Sequence, residues 1–280
     1  MTTSGRPRLV WLDATEGDPR LARLWEFLDR SVAELSRGRF ETELRHTALA
    51  AGGVRHPATR LLSDAALMAS AVSIADDPEI GADALVLGCW GSPIRQIRSA
   101  VDIPVTSLPD ASARTAASFT TRSAIVTVAP ALRGPFAADW EDLGGSCLLD
   151  VDAVRAYDPE STYLDVVDAI DDPKRLIDRF DGVARAAVDD GADAVIVGCG
   201  YLAPLFTAHG YTHVSGHPDV PVYDCNALAF EHAAMLHTLA ARGIRPAPRS
   251  YGGVPESRAA VFRTALDALA PRHPRKVAHS

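Results

Sequence analysis

Positive charge is scarce in this sequence. Its 28 lysines and arginines stand against 36 aspartates and glutamates, a formal net charge of −8. A surface that binds nucleic acid needs the opposite balance, so a nucleic-acid partner is not expected. The basic residues near the end, Arg272, Arg275 and Lys276, are few and interspersed and read as a solvated terminus. No apolar run approaches a membrane span, and Met1 to Arg8 holds no apolar signal core. The expectation is a cytoplasmic chain with no membrane partner. Cysteine is also sparse, four in 280 residues, and no two form a CxxC pair. That argues against a closed zinc site. In a reducing compartment the four are expected as thiols rather than two disulfides.

What is present is ordinary in amount: 47% apolar and 23% charged residues, as in a globular protein. The length accommodates two domains of usual size. The arrangement is less ordinary. Gly81-Ala82-Asp83-Ala84-Leu85-Val86-Leu87-Gly88-Cys89 is nearly copied 110 residues later as Gly191-Ala192-Asp193-Ala194-Val195-Ile196-Val197-Gly198-Cys199. A second short strand-like run follows each copy, Asp102-Ile103-Pro104-Val105 and Asp219-Val220-Pro221-Val222. A period this long is no solenoid repeat; it is the trace of two similar domains.

Aliphatic residues in a row suit a parallel strand buried on both faces. Each Gly-Cys falls where its strand ends, and open α/β sheets bind ligands at the carboxyl ends of strands. If the halves face each other, the two thiols meet across one cleft. Asp83 and Asp193, at the other strand end, read as turn residues.

The surrounding pattern alternates strand and helix. Arg8–Leu12 reads as a strand running into the polar loop Asp13-Ala14-Thr15, and residues 19–35 as an amphipathic helix. Residues 40–49 read as a strand, Gly52-Gly53 and Pro57 as a loop, and 61–74 as an Ala-rich helix. After the first cysteine come a helix over 92–100 and a strand over 103–106. The second half opens with a strand over 123–128 ending near Thr127. Residues 140–149 read as a short helix and strand, 150–173 as an acidic surface loop and helix, and 173–189 as a helix. Val220–Tyr223 is the last strand, followed by helices over 226–239 and 256–269. The fold class is therefore α/β, two pseudosymmetric parallel-sheet domains. Domain one is placed at 1–116 and carries Cys89. Domain two is 117–223 and carries Cys199.

The two Gly-Cys strand ends, their spacing and the Ile/Val-Pro-Val strands resemble the aspartate/glutamate racemase superfamily, and its hydantoin racemase branch above all. The likeness covers nearly the whole chain. It implies an active site in the cleft between the domains, no cofactor and no metal, and two cysteines acting as acid and base on opposite faces of a carbon acid. It also implies that residues 224–280 return to domain one, making it 1–116 plus 224–280, and it implies a small-molecule substrate and a homo-oligomer. Carried over by residue, Cys89 and Cys199 are catalytic. Asp13, Thr15, Trp90, Gly91, Ser92, Thr127, Gly200 and Tyr201 contact substrate, with backbone N–H groups after each cysteine facing a carboxylate or imide oxygen. Where amino-acid racemases carry a small polar residue after each cysteine, this chain has Trp90 and Gly200. That turns the expectation from free aspartate or glutamate toward a hydantoin-like or amino-acid-derived substrate.

Other readings stay open. A cysteine nucleophile on the same fold suits cis–trans isomerisation of a maleate-type diacid. A malonate-type decarboxylase needs only one cysteine. A non-catalytic binding protein needs neither. Gly198 to Ala203 fits the dinucleotide pattern GxGxxA with Asp224 as a ribose ligand, although the first copy breaks it. His209, His213 and His217 recur every four residues, but Gly210, Gly216 and Pro218 oppose a helix that would align them. Cys147 and Cys225 read as small buried hydrophobes.

Overall fold

The computed structural model describes residues 5–15, 17–47 and 55–269. They form two compact units. The first takes the described residues up to 17, 32–107 and 230 onward; the second takes 18–31 and 108–229. The expected boundaries keep Asp18–Ser31, the helix after the fourth strand and residues 224–229 with the first half. In the structure these segments cluster with the second unit.

The first unit is built on strands β1 (Arg8–Asp13), β2 (Glu41–His46), β3 (Ala84–Leu87) and β4 (Val105–Ser107). Their order is β2-β1-β3-β4, all parallel. Leu9 to Leu12 and Ala84 to Leu87 are wholly buried, which explains why neither strand alternates in polarity: both faces are covered. Helices α2 (Pro57–Asp76) and α3 (Ile94–Arg98) belong to this unit, whereas α1 (Ala22–Ser36), between β1 and β2 in the chain, has its residues 22–31 in the second unit. α1 follows a single 3-10 turn at Pro19–Leu21 and buries Leu24, Trp25, Leu28 and Val32 at helical spacing.

α2 corrects one expectation. The helix has 20 residues, and an 18-residue window within it reaches a mean hydropathy of 1.2, enough by length and composition to cross a membrane. Its buried face includes Ser63 and Ser70 among alanines, and it packs against other helices of the unit. Its apolarity thus belongs to a core helix. The expected loop at Gly52-Gly53, the last two residues of the 40–49 strand and the basic tail lie outside the described residues.

The second unit repeats the plan. β5 (Ser123–Thr127), β6 (Val154–Ala156), β7 (Ala194–Val197) and β9 (His217–Tyr223) run parallel in the order β6-β5-β7-β9. A two-residue strand, β8 (His213–Val214), adds antiparallel on β9. The helices are α4 (Leu108–Ala116), α5 (Arg133–Asp142), α6 (Tyr163–Asp168), α7 (Lys174–Asp189) and α8 (Leu202–Ala208). α4 packs on α5, and the Pro19–Leu21 turn packs on α6, which is why both cluster here. Phe180, Phe206 and Tyr211 meet edge-to-face, with ring centroids 5.1 to 5.9 Å apart. Each such pair contributes about 0.5–1.5 kcal/mol beyond area burial.

Three readings of this half need correction. The strand β6 lies inside the stretch read as acidic surface; Val154 and Arg155 are buried despite their aspartate neighbours. The helix read within 140–149 is α5 and starts earlier. The strand read there is a single bridge between Ser123 and Leu148. Cys147 is only half-buried and sits at φ +63°, in the turn before that bridge.

The closing helices are α9 (Cys225–Ala241), α10 (Pro248–Tyr251) and α11 (Glu256–Leu269). α11 packs on α2, where Leu266 joins Ala69 and Val72 in one apolar cluster.

Candidate active site

Both cysteines are set by the same backbone device. In the first unit Leu12 pairs with Leu87 across β1 and β3, and the Gly88 N–H donates to the Leu12 carbonyl at 2.8 Å. In the second unit Val126 pairs with Val197, and the Gly198 N–H donates to the Val126 carbonyl at 2.8 Å. Each glycine thus extends its strand by one bond past the last ladder pair, and the cysteine is the first residue beyond. Cys89 and Cys199 are half-buried, outside any disulfide, at the carboxyl edge of their own sheets.

A side chain is excluded before Cys89 and is a tight fit before Cys199. A Cβ on Gly88 would lie 2.2 Å from the indole nitrogen of Trp11. One on Gly198 would lie 3.0 Å from Ile125 and 3.1 Å from the Val126 carbonyl. Real Cβ contacts are essentially never as close as the first, so the central strand's own side chain dictates the residue before Cys89.

The turn after Cys89 is closed by Ser92, whose hydroxyl donates to the Cys89 carbonyl at 2.7 Å. Gly91 and Trp90 are buried, Trp90 with 2% of its surface exposed. Burial of this kind favours packing beneath the turn over contact with a substrate. The turn after Cys199 is tighter. The Ala203 N–H donates to the Cys199 carbonyl, so α8 starts directly from the turn. The Gly200 carbonyl accepts from the Asn226 side chain at 2.8 Å. Tyr201 is buried and meets Tyr163 edge-on at 6.0 Å.

The ends of the central strands complete each half. Thr127, buried, donates its hydroxyl to the Gly198 carbonyl at 3.2 Å. Asp13, 2% exposed, accepts from the Thr15 hydroxyl at 2.5 Å, and the Thr47 N–H donates to its carbonyl. The imidazole of His46 lies against it, Nδ1 3.3 Å from Oδ2. The first unit thus gathers Asp13, Thr15 and the 89–92 turn at one sheet edge; the second gathers Thr127 and the 199–201 turn at its own. His46 and Thr47 were not singled out from the sequence. The available signal was that β2 borders β1, so its terminal polar residues must flank Asp13.

The competing readings lose their geometry. His213 and His217 stand on two antiparallel strands and His209 follows α8, so no helix face aligns them. Among the described residues no group of three or more His, Cys, Asp or Glu side chains could hold a metal ion. Asp224, the ribose candidate, caps α9. It accepts from the Asn226 and Ala227 N–H groups and the Thr207 hydroxyl. Cys225 is fully buried, as read, and its thiol donates to the Asn226 side-chain oxygen at 3.6 Å.

Comparison with known proteins places the chain in a family. The family model described as Asp/Glu/Hydantoin racemase matches residues 24–233. A curated hydantoin racemase from Pseudomonas sp. (strain NS671) is 32% identical over 128 residues, 45% of this chain and 48% of that protein. The match thus spans about half the length of that relative. Among solved structures, allantoin racemase from Klebsiella pneumoniae has a TM-score of 0.71 at 17% identity, covering 95% of this chain and 99% of that one. Allantoin racemase from Pseudomonas fluorescens gives 0.72 at 19%, covering 89% and 97%. A glutamate racemase from Bacillus anthracis gives 0.56 at 13%, covering 85% and 84%. At these identities the structural likeness establishes the fold.

Proposed function

Because the chain belongs to the Asp/Glu/hydantoin racemase family, we propose that it is a cofactor-independent racemase or epimerase. Its substrate is a hydantoin-like or amino-acid-derived compound with an acidic carbon beside a carbonyl, and Cys89 and Cys199 are the acid/base pair. The observation that carries this reading is the matched pair of Gly-Cys strand ends, each one residue past an equivalent ladder pair. Both thiols stand half-exposed at the carboxyl ends of parallel strands, where open α/β sheets bind ligands.

The chemistry suits thiols. A free thiol titrates at about 8.5, near working pH, so one cysteine can be thiolate while the other is thiol. The thiolate removes the carbon-bound proton, the electron pair moves onto the carbonyl oxygen as an enolate, and the opposite thiol returns its own proton to the other face. The roles are then exchanged, and the next turnover runs in reverse. Backbone donors at the 90–92 and 200–201 turns would take the enolate charge. The reading requires one sulfur to reach each face of the same carbon.

The test is to incubate 5-substituted hydantoins and amino-acid derivatives in deuterated water with the wild type, Cys89→Ala and Cys199→Ala. Racemisation with deuterium incorporation by the wild type, and loss of at least about 10²-fold in each variant, support the reading. Wild-type racemisation by either variant rejects the pair. Carbon dioxide release from a malonate-type acid, or cis–trans conversion of a maleate-type diacid, assigns a different reaction.

A further inference from the structure

The two units repeat one another closely, and they differ at one informative point. The last residue of the central strand is Asp13 in the first unit and Thr127 in the second. Each adjoins its own Gly-Cys turn, because Gly88 bonds to Leu12 and Gly198 to Val126. On the other side, the ladder partner is His46 for Asp13 and Ala156 for Thr127. A buried carboxylate and imidazole in contact therefore border the Cys89 turn, where the Cys199 turn has a hydroxyl and a methyl group. The second unit forms the same strand end with a neutral pair.

We propose that His46 is a positioning residue that acts through Asp13 on Cys89 alone, making the two thiols chemically inequivalent. This rests on the two-cysteine reading above for its role in turnover. Asp13 and His46 expose 2% and 5% of their surfaces, so little water can reorient the carboxylate. Two groups touch its Oδ2: the Thr15 hydroxyl donates to it, and the His46 imidazole packs against it with Nδ1 3.3 Å away. A carboxylate left to swing toward a thiol opposes formation of the thiolate. Held from the β2 side, it is turned to accept hydrogen bonds instead, and Cys89 ionises more readily.

The experiment needs no substrate. The full chain is exposed to iodoacetamide for timed intervals, and alkylation of each cysteine is followed by peptide mass spectrometry. His46→Ala is expected to slow Cys89 by about five-fold and to leave Cys199 within about two-fold of wild type, since a single displaced charge acts over short range. His46→Asn places a donor where Nδ1 stood and is expected to recover most of the Cys89 rate. On an Asp13→Asn background, replacing His46 is expected to change nothing further, because the carboxylate it acts through is gone. An unchanged Cys89 rate in His46→Ala overturns the proposal. So does equal slowing of both cysteines, which marks a loosened fold, and so does a full His46 effect on the Asp13→Asn background. That last comparison still decides if His46→Ala alone does not fold. If Cys89→Ala racemises normally while the alkylation pattern holds, the catalytic reading fails and the positioning role stands.

Discussion

Asp83 and Arg8 are bonded in both directions: the Arg8 N–H donates to the Asp83 carboxylate at 2.7 Å, and the Asp83 N–H donates to the Arg8 carbonyl at 2.8 Å. Asp193 and Arg122 repeat the arrangement in the second unit, at 3.1 and 2.8 Å. The aspartate of each Gly-Ala-Asp-Ala copy thus pins the start of its sheet's central strand and sets the register that delivers the glycine and cysteine at the far end. Asp193 also accepts from Thr120 and Thr121. Burial works to raise its pKa, but these hydrogen bonds together outweigh it and hold the carboxyl below its ordinary value. Stability from Asp193 is therefore present above the unfolded value, about 4, and lost as pH falls through the folded one. Asp193→Ala is expected to cost about 1 kcal/mol at neutral pH, discounted for its exposure, and nothing in strong acid. Urea melts at pH 7 and pH 3 measure both.

Gly88→Ala is expected to destabilise the first unit by about 1–3 kcal/mol, because the new methyl group displaces the Trp11 ring. Shrinking Trp11 to Leu creates its own loss, but the double variant is expected to be more stable than the sum of the two singles predicts. A thermal-denaturation cycle over the four proteins reads the coupling, and simple additivity would show that the two residues do not compete for space.

The cap of α6 titrates in acid. The Thr162 N–H and hydroxyl, then Arg175, hold the Asp165 carboxyl down at about 2. Its stabilisation is complete above about pH 4 and disappears as pH falls through 2. Thr162→Ala removes the hydroxyl and keeps the N–H, so Asp165 is expected to move only part of the way back to about 3.9. Carboxyl chemical shifts followed by NMR against pH measure it; an unmoved titration would mean that the hydroxyl contributes nothing.

Leu266→Ala is expected to cost about 2–4 kcal/mol, since Leu266 anchors α11 against Ala69 and Val72 and small neighbours cannot collapse to fill the gap. Val261→Ala, on the exposed side of the same helix, is expected to fall within about 0.5 kcal/mol of wild type. Denaturant midpoints compare the two.

Much of this architecture is legible because the strands that matter are unbroken aliphatic runs flanked by glycine. β3 and β7 announce themselves twice, and β1 and β5 follow from the same composition. β6 escaped because three residues among aspartates carry no run to detect, and its buried Arg155 reads as surface until Asp190 is seen beside it at 2.6 Å. α4 and α8 escaped because each starts directly from a strand end or cysteine turn, with no polar cap to mark it. The site was legible as strand-end chemistry in one dimension. His46 was not, because its importance comes from the neighbouring strand's register, which no local pattern encodes.

The two-residue strand β8 has an effect beyond its size. β9 is the one long strand at the rim of the second sheet, and without a neighbour its amides and carbonyls would form a template for intermolecular pairing. His213 and Val214 occupy part of that rim, and Pro218 and Pro221 have no amide hydrogen to offer. In the first sheet the corresponding edge is β4, too short to recruit another chain. A loop-shortened variant lacking this hairpin would therefore be the form most prone to fibril-like self-association.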